Sequence, residues 1–278
     1  MSEPQKFVDL RQPRRIWAIG SVHAQLDHLY AVHEVVASRF EPGDRLVYLG
    51  NMIGWGERVL ETIDALLAFR IWLLSWRGME ADDIVYLRGA QEEMWQKLLQ
   101  LQFAPDPQQV LDWMTRHGAG TTLAAYGGAV EQGMAAARGG TMMLGRWTQG
   151  LRQAMQQRPG HENVFNALRR AAYCLGPSGD PARDSGHEGG VLLVSAGVDV
   201  RRPLTHQGDA FWWGSANFAQ MSVPYGGFSR VVRGFDPAGR GVSVTDLVAT
   251  LDGGCGFGGH LVCGCLSPSG EILDLFQV

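Results

Sequence analysis

Ile16-Trp17-Ala18-Ile19-Gly20-Ser21-Val22-His23-Ala24 decides how this 278-residue chain is read. The apolar run around Trp17 and Ile19 predicts a short buried strand, and Gly20 predicts a tight turn at its end. Leu26, Leu29, Val32, Val35 and Val36 then recur at three- and four-residue spacing, which predicts an amphipathic helix. A strand that hands its loop to a helix is where α/β proteins gather their chemistry.

The unit recurs twice downstream. Arg45-Leu46-Val47-Tyr48-Leu49 predicts a second strand, closed by Gly50-Asn51-Met52-Ile53-Gly54-Trp55-Gly56 and followed by a long helix over about 57–76. Asp83-Ile84-Val85-Tyr86-Leu87 predicts a third, closed by Arg88-Gly89-Ala90-Gln91-Glu92 before another helix. Three strand–loop–helix units predict a layered α/β domain with parallel strands. One domain is expected over 1–278, with a helical cap or insert at about 100–170 that is rich in Ala, Gly, Met and Gln from Gly128 to Gly160. Residues 170–175 and 191–196 predict paired strands joined by a mobile polar loop over 176–190. Further strands are expected at 229–233, 247–251, 261–266 and 272–276, with Ser267-Pro268-Ser269-Gly270 as a hairpin turn.

Composition excludes several classes. Hydrophobic residues make up 45% and charged residues 19%, which predicts a globular chain rather than a disordered one. A net charge of −4 with no basic run disfavours nucleic-acid binding. The most apolar stretch, 63–76, is interrupted by Arg70 and is too short to span a membrane. Residues 1–9 are polar and do not read as a leader, so a cytoplasmic location is expected. Cys174, Cys255, Cys263 and Cys265 form no CxxC pair and are expected to be buried free thiols, with Cys263 and Cys265 on one side of a strand.

In order and spacing, the loops resemble the motifs of the calcineurin-like metallophosphoesterases, in the branch of the phosphoprotein phosphatases and symmetrical diadenosine tetraphosphatases. The first loop looks like Gly-Asp-x-His-Gly, 50–56 like Gly-Asp-x-x-Asp-Arg-Gly and 89–92 like Gly-Asn-His-Glu. Ser195-Ala196-Gly197 resembles His-Ala-Gly, and Gly234-Phe235-Asp236-Pro237 resembles Gly-His-Thr-Pro. Asp252-Gly253-Gly254 with Gly258-Gly259-His260-Leu261 resembles the closing Asp-Thr-Gly…Gly-Gly-x-Leu. Trp113, His117-Gly118, Thr121-Thr122-Leu123 and Tyr126-Gly127 resemble the branch's Trp…Gly-Gly…Thr-Leu…Tyr-Gly segment. The resemblance implies a four-layer αββα sandwich, two mixed sheets flanked by helices.

The resemblance also implies a two-metal hydrolase, but its ligands are replaced. Ser21 stands for the first Asp, Asn51 and Gly54 for the next two, Ala90 and Gln91 for Asn and His, and Ser195 and Phe235 for the later histidines. His23 is retained, as is Glu92, while Trp55 stands where an Arg would grip phosphate. Two adjacent cations need carboxylate charge to offset them, so no metal and no other cofactor is expected. Trp55 and Phe235 predict an apolar plug in the cleft. His117 and His260 are expected to be structural, and a Ser21–His23 nucleophile pair is disfavoured because residues two apart in a turn rarely face each other.

The expected function is therefore that of a pseudophosphatase, a binding, regulatory or scaffold subunit rather than an enzyme. The alternative is a serine/threonine phosphatase-like or dinucleoside-tetraphosphate hydrolase with a rearranged or weak metal site. That site would draw on His23, Glu92, Asp236 or Asp252. A metal-free binder of a nucleotide or phosphopeptide is a third reading, disfavoured by the lost arginines. A protein partner is expected, of unknown identity, with Gly128 to Gly160 and the pair Trp212 and Trp213 as candidate contact surfaces.

Overall fold

The computed structural model describes residues 6–176 and 189–278, so most of the expected mobile loop at 176–190 lies outside the described residues. Within the described residues two mixed sheets stack face to face. The first contains β2 (Ile16–Ile19), β3 (Arg45–Tyr48), β4 (Ile84–Tyr86), β10 (Val262–Leu266) and β11 (Ile272–Gln277), in the order β11-β10-β2-β3-β4. β2, β3 and β4 run parallel, and β10 and β11 close the edge antiparallel.

The second sheet contains β1 (Phe7–Asp9), β5 (Ala171–Leu175), β6 (Gly190–Val194), β7 (Arg230–Arg233), β8 (Ser243–Val244) and β9 (Val248–Thr250), in the order β1-β5-β6-β7-β9-β8. β6, β7 and β9 are parallel neighbours, and β5 pairs antiparallel with β6. β1 lies within a stretch read only as a polar terminus. Three residues with one buried side chain, Val8, leave too little pattern to reveal an edge strand.

Alternation along the strands explains the layers. Ile16, Ala18, Val47, Leu49, Val85 and Leu87 point into the inter-sheet core, where they meet Ala172, Cys174, Val191, Leu193, Val232 and Ala249. Trp17, Ile19, Leu46, Tyr48, Ile84 and Tyr86 face the other way, onto α1 (Leu26–Arg39) and α2 (Val59–Leu74). Strands covered on both faces are continuously apolar, as β2 is. The outer face of the second sheet is covered by Phe211 and Trp212 of the short α9 (Ala210–Trp213) and by Phe218.

α3 (Ala90–Leu98) leads into α4 (Pro107–Met114), α5 (Gly120–Ala125), α6 (Val130–Arg138), α7 (Thr141–Gln156) and α8 (His161–Asn166). Their own core, with Met94, Trp95, Leu111, Leu123, Tyr126, Leu144 and Leu151, is continuous with Val59 and Ile63 of α2. Between α4 and α5 the backbone makes a wide turn over Thr115–Ala119, with Gly118 at φ +99°. All four cysteines are free and buried, and burial pushes the Cys174 and Cys265 thiols up to about 11 and Cys255 up to about 12.

Candidate functional site

β2, β3 and β4 run parallel in one sheet and β6, β7 and β9 in the other, and hydrogen bonds join the loops that follow them into one cluster. Ser21 Oγ donates to the Gly234 carbonyl at 3.0 Å and accepts from Asn51 Nδ2 at 3.2 Å. Asn51 Oδ1 accepts from the Gln91 backbone N–H at 3.1 Å, and Gly234 and Phe235 both donate to the Ser195 carbonyl. Ser21, Asn51, Ala90, Gln91, Glu92, Ser195 and Phe235 therefore lie in one loop cluster.

The backbone of the first two loops is left-handed at four side-chain-bearing residues, His23, Ala24, Asn51 and Trp55, with φ between 50° and 57°. Such conformations cost about 1–3 kcal/mol each and persist where the surroundings enforce them. Glu92 is one such enforcer. Its Oε2 accepts from the backbone N–H groups of Asn51 and Gly89 at 2.9 and 2.8 Å, and its Oε1 from those of Met52 and Ile53 at 2.7 and 3.3 Å. Burial pushes the Glu92 carboxyl up, and these donors oppose that rise. Glu92 thus joins the start of α3 to the loop after β3.

Gln91 fills the space at Gly54. A Cβ at Gly54 would land on the Gln91 carboxamide, and Gly54 sits at φ +82°. The Gln91 amide is fixed by donating from Nε2 to the His117 carbonyl at 2.8 Å. The Trp55 backbone N–H donates to the Gly118 carbonyl at 3.3 Å, and the indole lies against Gly118, where a Cβ would come within 2.7 Å of Cε2.

His23 is caged by rings. Phe235 and Phe257 meet it edge-on at centroid distances of 5.9 and 5.4 Å, and Phe257 continues to Trp55 at 5.1 Å. Burial takes the His23 imidazole down to about 4, only partly offset by the nearby Ile53 backbone, so the ring is neutral at pH 7. Neither ring nitrogen makes a good hydrogen bond within the protein, and neither do Ser195 Oγ and Gln91 Oε1.

The remaining acids are committed. Asp252 accepts from the backbone N–H groups of Asp236 and Gly254 at 2.8 and 3.0 Å. Asp236 lies between Arg233 at 3.1 Å and Arg240 at 2.7 Å and accepts from Ala238 N–H. Burial would raise the Asp236 carboxyl, but the Arg240 and Ala238 hydrogen bonds and the Arg233 charge bring it down to about 2.

A binuclear centre does not fit this donor set. The unpaired groups are an imidazole, a hydroxyl and an amide oxygen, all neutral, and the three acids already hold buried donors. Among the described residues no three His, Cys, Asp or Glu side chains are placed to share a cation.

His117 and His260 are exposed, and His117 Nδ1 lies 2.7 Å from the Trp113 carbonyl. Trp213 is exposed, but Trp212 corrects the expectation of a contact surface. Trp212 is 4% exposed, and its ring packs with Phe211 beneath Arg88 and Arg170. Consecutive residues of a helical turn point different ways, so only one of the pair can face out. Phe257, Arg233 and Arg240 are site residues the sequence reading missed. The signal for Phe257 was a lone large apolar residue among turn glycines.

A scan against protein-family models finds no match, and a search of curated proteins finds none either. Solved structures do match. One, described as a candidate diadenosine tetraphosphatase, aligns over 99% of this chain and 97% of its own at 16% identity, with a TM-score of 0.54. Another, a protein serine/threonine phosphatase from Saccharomyces cerevisiae with similarity to human phosphatase PP5, aligns over 99% and 84% at 12% identity, with a TM-score of 0.50. The chain has the calcineurin-like metallophosphoesterase fold. At these identities the likeness establishes the fold alone. Within the metallophosphoesterase frame, the loops that meet at the strand ends carry Ser21, Asn51, Gly54, Ala90, Gln91, Ser195 and Phe235.

Proposed function

We propose that this metallophosphoesterase-fold protein is a pseudophosphatase that works by binding another protein as a regulatory or scaffold subunit. The observation that carries the reading is that every carboxylate in the loop cluster already serves another group. Glu92 holds backbone donors, Asp252 holds Asp236 and Gly254, and Asp236 holds two arginines. Recruiting any of them to a cation would leave buried donors unpaired, at about 1–3 kcal/mol each. The rearranged-site alternative needs those same carboxylates together with His23. Without a metal, water keeps its ordinary pKa, and no side chain here replaces the roughly 8–9 units of activation a metal supplies.

The test is metal analysis and turnover on one preparation. After incubation with manganese, iron or zinc and gel filtration, the chain should carry only substoichiometric metal. It should hydrolyse neither p-nitrophenyl phosphate nor diadenosine tetraphosphate above buffer. Stoichiometric metal together with a phosphatase activity abolished by His23→Ala would overturn the proposal.

A further inference from the structure

Trp213 forms one wall of a pocket of about 310 Å³, whose other sides come from the turn after α9 and the loop after β7. The charged side chains in its wall are Arg233, Arg240 and Asp236, two cations against one anion. Asp252 is not in the wall, and its oxygens face the backbone N–H groups of Asp236 and Gly254.

The carboxylate is saturated and the guanidiniums are not. Asp236 receives Ala238 N–H, Arg240 N–H, Arg240 Nε and Nη2, and Arg233 Nη2 at 2.7 to 3.3 Å, five donors for about four lone-pair sites. Arg240 turns its Nε–Nη2 edge to Asp236, which leaves the Nη1–Nη2 fork at the end of the group without a partner among the described residues. That side chain is 55% exposed, so the fork is open to a ligand. Arg233 is buried and held in place by Thr250 Oγ1 at 2.9 Å and by the Phe218 ring. Burial pulls the Arg233 guanidinium down from its ordinary value, Asp236 opposes the fall, and the Arg240 charge adds to it. Two like charges therefore share one carboxylate in a concave, half-polar site.

A second carboxylate matches the open fork in shape. Its two oxygens accept two parallel N–H groups, as those of Asp236 do on the adjoining edge. It also matches in charge. One negative charge neutralises the wall, whereas a phosphate close to its second ionisation brings up to two and sets the excess against Asp236.

We propose that this pocket binds a carboxylate of an acidic peptide segment, taken end-on by Arg240 over the buried Arg233, with Trp213 against the apolar part of the residue that carries it. The proposal names the chemistry that the binding role above recognises, and rests on that reading for the carrier being a protein.

The experiment titrates the full chain, in EDTA, with acetate and with two acetylated peptides, read by NMR shifts of the Trp213 indole N–H and the Arg240 Nε–H. One peptide, Gly-Gly-Glu-Gly-Gly amide, offers a side-chain carboxylate; the other, Gly-Gly-Gly-Gly-Gly with a free end, offers a terminal one. Saturable shifts are expected with all three, and the tighter peptide identifies which carboxylate is the natural source. Arg240→Gln, at an exposed side chain, should weaken binding about tenfold or more with an unchanged urea midpoint. Arg240→Lys, which keeps the charge and loses the fork, should fall between the two. Absence of saturable shifts would overturn the proposal, as would equal affinity in Arg240→Gln. Tighter binding of inorganic phosphate than of acetate at matched ionic strength would overturn it too, by making the ligand a phosphate. Metal content and phosphatase turnover on the same preparation separate the two claims. A metal-free, inactive protein without the shifts refutes the carboxylate site alone, and a metal-loaded active one refutes the pseudophosphatase reading.

Discussion

The interior of the loop cluster and its rim have opposite chemistry. Inside, carboxylates and amides are tied to backbone groups or arginines, and the one retained histidine is shut behind phenylalanine rings. At the rim, three tryptophans and a phenylalanine, Trp55, Trp113, Trp213 and Phe257, lie partly open to solvent. A catalytic phosphatase cleft needs the reverse, an open polar interior able to admit ions and phosphate. On the proposed binding role, the interior residues serve stability and the rim residues are the ones left open to a partner.

The sharpest way to break the contrast is Glu92→Ala. Four backbone N–H groups lose their acceptor, so unfolding free energy should fall by roughly 3 kcal/mol or more. Urea denaturation measures it, and a loss below about 1 kcal/mol would mean the interior is not held as described.

Acid should act on the same interior with a comparable total effect. The unfolded chain takes up histidine protons from about pH 6.5 downward, whereas folded His23 waits until about 4 and His33 until about 3. Stability should therefore decline as pH falls from 6.5 toward 4, with His23 alone accounting for roughly 3 kcal/mol by the end of that window. Glu92, raised by burial, works in the opposite sense in the carboxylate range. The clean readout is thus the difference between the wild-type and His23→Leu urea midpoints across pH, where His23→Leu should have the flatter profile.

Gly54→Ala tests the seat of Gln91. Added strain at φ +82° and the collision with the carboxamide should cost about 2 kcal/mol. Gln91→Ala should recover part of it, giving a coupling of about 1 kcal/mol in a double-mutant cycle. Additive effects would show that the two sites do not compete for the same space. The smallest stability effect is expected from Trp213→Ala, under about 1 kcal/mol despite the size of the ring. A larger loss would move Trp213 from the rim into the core.

Much of this was legible in the sequence because strand periodicity and loop spacing are local. β2, β3 and β4 and their loops follow from apolar runs that end at Gly20, Gly50 and Gly89. The two-sided burial that keeps β2 apolar also made it the clearest strand to read. What escaped depends on contacts between distant segments. Nothing near Trp212 says that Arg88 and Arg170 lie over its ring, and nothing near Phe257 says that it closes over His23. The commitment of Asp236 and Asp252 is likewise a matter of geometry, since in the sequence they are only two acids beside turn glycines.

The wide turn at Thr115–Ala119 has a practical consequence. Its two adjacent carbonyls receive the Gln91 side-chain amide and the Trp55 backbone N–H, so this single bend buttresses both. Trimming away α4 to α8 to make a minimal scaffold would therefore not leave a bare catalytic frame. It would free the Gln91 side chain and remove the glycine against which the Trp55 indole packs, so any redesign of these loops should start at that bend.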